Sequence, residues 1–103
     1  MNKVYSAEEI KSILYPVFLA NAVYRAVLFG SYAKGMATDE SDIDIVVDSK
    51  GELLNINFYG LLEEITTKLG KKIDLLEIQE VKEESPIYDA IQKEGVLLFA
   101  RQG

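Results

Sequence analysis

Asp42 and Asp44 stand two residues apart at the head of an apolar, β-branched run, Ile43 to Val47. On a strand that spacing sends both side chains to one face, with Cα atoms roughly 6.5 Å apart. Two carboxylates so placed can converge on one hard cation or bracket a pair. Mg²⁺ suits them, because it takes oxygen ligands and is held by one or two carboxylates together with substrate phosphates. Two such ions about 3.5–4 Å apart stabilise both the attacking and the leaving oxygen of an in-line displacement. Ten residues separate Ser31 from Asp42, and Gly30-Ser31 closes another apolar run. Gly30 permits close backbone approach and unusual φ. Ser31 can open a short helical turn whose free N–H groups bind an anion, and its hydroxyl can bond terminal phosphates. A third carboxylate, Asp74, is embedded in the apolar run Ile73 to Ile78. An isolated charged carboxylate is costly to bury. Asp74 therefore sits either at a strand end in water or against a metal with Asp42 and Asp44, where it can activate a hydroxyl as a base. Each feature alone has a plainer reading. Gly30-Ser31 can be a strand-ending turn, and the aspartates can be solvated charge.

Other chemistries are excluded by residue type. The chain has no histidine and no cysteine, which removes imidazole bases, thiol nucleophiles, disulfides and zinc sites of the usual kind. The segment is not a Walker A loop, since Lys34 precedes Gly35 and no Lys-Ser/Thr pair follows the right glycine. Nor is it a calcium-binding EF-hand. A formal net charge of −6 repels phosphate backbones, so direct nucleic-acid binding is not expected. No apolar run approaches the ~18 residues of a membrane span, and the N-terminus has no basic-then-apolar signal pattern. Cytoplasm and no membrane partner are the expectation.

The 103 residues, 49% of them hydrophobic, suit one domain with a single core, residues 1–103, and leave little for a separate acceptor-binding module. Ser6 and Glu9 form a capping box. Ile10, Ile13, Leu14, Val17 and Phe18 then mark one face of a helix running to about Asn21, and Pro16 is expected to kink or divide it. Val23 to Phe29, Ile43 to Val47, Ile73 to Ile78 and Val96 to Ala100 read as strands. Ser31 to Lys34 reads as a short helical turn. Phe58 to Leu69 carries a helical stripe closed by Gly70, and Ser85-Pro86 starts a last helix that ends at Gly95. Lys71 and Lys72 read as solvated. The expectation is an α/β (α+β) domain in which helices flank a four-stranded sheet. Because the link from Phe29 to Ile43 is too short for a crossover helix, the sheet is expected to be mixed.

The string Leu28-Phe29-Gly30-Ser31-Tyr32-Ala33-Lys34-Gly35, then Ala37, then Ser41-Asp42-Ile43-Asp44, resembles the signature of the DNA polymerase β-like nucleotidyltransferases, and within them the minimal nucleotidyltransferases. The resemblance implies Mg²⁺-dependent transfer of a nucleoside monophosphate from a nucleoside triphosphate to a hydroxyl, with release of pyrophosphate. It implies that Gly30 and Ser31 grip phosphates, that Asp42 and Asp44 bind metal, and that Asp74 completes a catalytic triad. Lys34 occupies the motif's basic position, where arginine is frequent; lysine keeps the charge but loses the bidentate fork. Minimal members are often paired with an all-helical HEPN-domain toxin, and some place AMP from ATP on a tyrosine of that partner.

Two functions remain open. One is catalytic: an antitoxin that adenylylates its partner. The other is a binding module that neutralises the partner by occlusion. Modification of a small molecule ranks behind both, since the chain lacks the extra helical domain of such relatives. The exposed side of the sheet or of the first helix could serve a homodimer or the toxin.

Overall fold

A computed structural model describes residues 3–101. Its first helix, α1 (Ala7–Ala20), begins at the expected capping box: the Ser6 hydroxyl accepts from the Glu9 amide, and the Glu9 carboxylate accepts from the Ser6 amide. Pro16 lies inside α1 and does not divide it. A mid-helix proline costs about 3 kcal/mol. Four buried side chains on the same helix, Ile10, Leu14, Val17 and Phe18, contribute about 1.5–3 kcal/mol each, so packing outweighs the break. Ser12, whose carbonyl loses its partner, is exposed to water.

After α1 come β1 (Arg25–Phe29), β2 (Ile43–Asp48), α2 (Ile56–Leu69), β3 (Ile73–Glu77), a single 3-10 turn (Ile78–Glu80), α3 (Pro86–Glu94) and β4 (Val96–Ala100). Ser31 to Gly35 is a run of hydrogen-bonded turns rather than a helix. The order of helices and strands is therefore α-β-β-α-β-α-β. The first strand starts later than its apolar run, because the Val23 amide turns back to the Asn21 carbonyl at 2.8 Å.

The sheet is mixed, in the order β3-β2-β1-β4. β1 runs antiparallel to both β2 and β4, while β2 and β3 are parallel. Alternation sorts the side chains. Leu28, Ile43, Ile45, Leu75 and Leu98 join α1 and α2 in the main core. Phe29 and Val46 point the other way and meet Ile91 of α3 in a smaller cluster. Because Asp44 shares parity with Val46 along β2, it falls on that second face.

One clamp had no sequence signal. The Arg101 guanidinium donates to the carbonyls of Phe18, Leu19, Asn21 and Val23 at 2.9–3.1 Å. It closes the end of α1, where the last carbonyls lack helical partners. Charge-assisted bonds of this kind are the stronger ones. Replacing Arg101 with Met is expected to lower unfolding stability by about 2 kcal/mol, read as a reduced urea midpoint at unchanged slope.

Candidate active site

The sheet register assembles the site. Phe29 stands opposite Asp44 across the β1–β2 pair, and Asp44 stands beside Asp74 across the β2–β3 pair. Gly30, Asp44 and Asp74 are thereby brought into one row at the end of three adjacent strands. Gly30 adopts φ +76°, and a Cβ there would overlap the Asp44 carboxylate. Glycine is thus required twice, for its backbone angle and for the space the carboxylate occupies.

Asp44 is half-buried, and its pKa is raised from 3.8 to about 6. Burial is the largest cause. A hydrogen bond with Asp74 follows, then the negative charges of Asp74 and Asp42. Like charges crowded in a partly desolvated place favour the neutral acid. Asp42 leans instead on Lys72, with Nζ 3.6 Å from its carboxylate. Lys71 donates to the Asp39 carbonyl at 3.1 Å. Lys72 stays solvated as expected, its side chain 75% exposed, and the place of both lysines directly before β3 puts them beside the start of β2. Asp74 is exposed and takes the strand-end alternative while also bordering Asp44.

The three aspartates do not form a ready-made ligand set. Among the described residues no three acidic side chains are gathered closely enough to hold an ion. Asp44 and Asp74 are paired, and Asp42 adds its charge to Asp44 and also contacts Lys72. The donor chemistry still fits a hard cation, since all three groups offer oxygen and their joint negative charge is offset by the single ion pair to Lys72.

Asp44 and Asp74 line a groove of about 330 Å³ with Phe29, Leu75, Leu76 and Ile87 of α3. The turn after β1 is folded on itself: the Ala33 and Lys34 amides donate to the Gly30 carbonyl at 3.1 and 3.2 Å, and the Met36 amide to Ser31 at 3.0 Å. The amides of Ser31 and Tyr32 donate to no backbone carbonyl among the described turn and loop bonds. Lys34 is exposed and pairs with Glu94 at 3.4 Å. It does not line the groove.

Two features of the loop lay outside the sequence reading. Thr38 and Ser41 bind each other, with the Thr38 amide donating to the Ser41 hydroxyl at 2.9 Å and the Ser41 amide to the Thr38 carbonyl at 3.1 Å. This staple fixes the backbone directly before Asp42. The Thr-x-x-Ser spacing was the available signal. Tyr32 is 4% exposed and anchors the loop in the main core, yet its hydroxyl is buried without a partner. A buried, unbonded hydroxyl is destabilising. Tyr32→Phe is expected to raise stability by about 1 kcal/mol with nucleotide binding unchanged, as read by thermal melting and ATP titration.

Residues 8–103 match the family described as polymerase beta, nucleotidyltransferase. A putative protein adenylyltransferase of Methanocaldococcus jannaschii is 41% identical over 69 residues, covering 66% of this chain and 73% of the relative. Among solved structures, the fold is similar to a chain of a toxin-antitoxin complex with AMP-PNP. That match has TM-score 0.76 and 24% identity, and covers 89% of this chain and 74% of the other. It is also similar to a chain of the complex between tri-AMPylated Shewanella oneidensis HEPN toxin and its MNT antitoxin, with TM-score 0.70, 21% identity, and coverage of 92% and 73%.

Proposed function

Because the chain belongs to the polymerase beta nucleotidyltransferase family, we propose that it moves AMP from ATP to a tyrosine hydroxyl of a HEPN-type toxin and so acts as an antitoxin. The observation that carries this reading is the in-register pair Asp44–Asp74 beside Gly30. The AMP-PNP bound in one structural neighbour and the AMPylated toxin held by another support it.

Asp42 and Asp44 would hold Mg²⁺, which when bound would neutralise charge on the triphosphate and on the oxygens of the in-line displacement. Gly30 lets the strand end pass close against the Asp44 carboxylate. The free amides of Ser31 and Tyr32, with the Ser31 hydroxyl, grip the terminal phosphates. Asp74, the most exposed of the three carboxylates, takes the proton from the acceptor hydroxyl. The acceptor oxygen then forms its bond to the α-phosphorus. The α-phosphorus–oxygen bond to the β-phosphate breaks, and pyrophosphate leaves with its electron pair. The proton passes from Asp74 to water.

The test is incubation of the chain with ATP, Mg²⁺ and the purified toxin, followed by peptide mass spectrometry of the toxin. The expected result is an adenylyl group on tyrosine. An unmodified toxin, in a mixture where the chain binds ATP and the toxin, contradicts the reading.

A further inference from the structure

Three of the most exposed large apolar side chains sit together at the start of α2: Ile56 is 80% exposed, Tyr59 67% and Leu54 63%. The chain enters α2 through Asn55 at φ 48°, ψ −110°, with no side-chain cap. Such a backbone conformation is held at a cost. Leu54 and Tyr59 line a groove of about 400 Å³ with Phe58, Leu75, Leu76 and Glu80, and Ile56 stands beside it in sequence, directly after Asn55 as the first residue of α2. It shares Leu75 and Leu76 with the groove that holds Asp44 and Asp74. The two grooves therefore meet across β3, an outer strand of the sheet whose other edge pairs with no strand among those described. Along β3, about 10 Å separates Asp74 from Glu77 at the α2 groove.

Apolar clusters rimmed by polar groups mark interaction sites, and tyrosine is enriched in them. Here the rim is acidic. Residues 73–86 expose Asp74, Glu80, Glu83 and Glu84 against one cation, Lys82, while Glu77 turns inward to Ser49. A second copy of this chain would bring an identical acidic rim and another net −6, which repels. A partner with lysine or arginine around an apolar anchor complements it.

We propose that the Leu54–Ile56–Tyr59 patch is the docking surface for the acceptor protein. A basic-rimmed partner seats an apolar anchor there and reaches across β3 to present its hydroxyl at Asp74. The inference rests on the transfer reading above, and adds where the acceptor binds and what chemistry binds it.

The test measures the affinity of the full chain for the purified HEPN-type toxin by calorimetry, with ATP affinity and label transfer from α-labelled ATP measured alongside. Ile56→Lys and Tyr59→Ala change exposed side chains, and thermal melting checks that both fold. Each is expected to weaken toxin binding about 30-fold with ATP affinity unchanged. Leu19→Lys, an exposed apolar position on α1, leaves toxin binding intact. Unchanged toxin affinity in both patch variants overturns the proposal, as does an equal loss in Leu19→Lys or a wild-type chain that does not bind the toxin. Self-association abolished by Ile56→Lys at unchanged toxin affinity assigns the patch to a second copy and also overturns it. Weakened binding without any label transfer by the wild type upholds the surface and removes the transfer reading. Full transfer by Ile56→Lys at unchanged acceptor KM does the reverse.

Discussion

Asp44→Asn is expected to lower the rate of AMP transfer by about 10³-fold and, in the absence of Mg²⁺, to raise the melting temperature by about 4 °C. The two effects share a cause. Burial and the neighbouring carboxylates hold the Asp44 pKa at about 6, above its ordinary 3.8. The folded protein thus binds a proton more tightly than the unfolded chain. The stability this contributes is fully present below about pH 3.8 and is lost as pH rises through about 6. At neutral pH the folded chain carries an ionised carboxylate in a place that disfavours it. Asparagine keeps the shape and removes the charge. Solvent on the half-buried group limits the gain to about 1 kcal/mol. The same charge is what a cation needs, so Mg²⁺ with ATP raises the melting temperature of the wild type more than that of the variant. Melting curves from pH 4 to pH 8 check the sign. The wild type and Asp44→Asn are expected to converge at the acid end and separate through pH 6. A variant that melts below the wild type at neutral pH without Mg²⁺ contradicts this account of the site.

Gly30→Ala is expected to lower transfer about 10²-fold and to destabilise the fold by about 1–3 kcal/mol. The position has φ +76°, and the added Cβ would overlap the Asp44 carboxylate. Relief requires either the strand end or Asp44 to move. A displacement on the order of 1 Å at a reacting centre is costly, because the rate depends on near-attack geometry. Gly35, also at positive φ, has open space around its Cβ position. Gly35→Ala therefore carries the backbone strain alone. Comparing kcat and urea midpoints of the two variants separates strain from misplacement: both lose stability, and only Gly30→Ala loses kcat beyond what unfolding removes.

Local chemistry was legible in the sequence where neighbours in the chain act on one another. Ser6 and Glu9 read as a capping box because both partners lie within one helical turn. Asp44 faces away from the main core because strand parity in β2 fixes it. The short link after Phe29 implied a mixed sheet, and β1 and β2 are antiparallel as a result. Contacts set by tertiary packing were not legible. Arg101 clamps carbonyls 78–83 residues away. Glu77 turns inward from β3, where its carboxylate accepts from the buried Ser49 hydroxyl at 2.6 Å, and Ser49 in turn accepts from the Leu53 amide. No spacing rule links Ser49 to Glu77; only the parallel β2–β3 register brings them together. Pro16 misled for a related reason, since its local cost is fixed while the offsetting burial depends on the rest of the fold. The aspartate side chains fall between these cases. Sequence expected them on one face, but the contacts of Asp44 with Asp74 and of Asp42 with Lys72 are set by the β2–β3 packing, which no local spacing shows.

The most direct test of the central claim is the rate at which label passes from α-labelled ATP to the toxin, measured side by side for the wild type and for the double variant Asp42→Ala, Asp44→Ala. The account predicts Mg²⁺-dependent transfer by the wild type and none by the double variant, with the complex between chain and toxin still formed. Equal transfer by both, or neutralisation of the toxin by the double variant with no label moved, contradicts it; the second outcome establishes an antitoxin that works by occlusion alone.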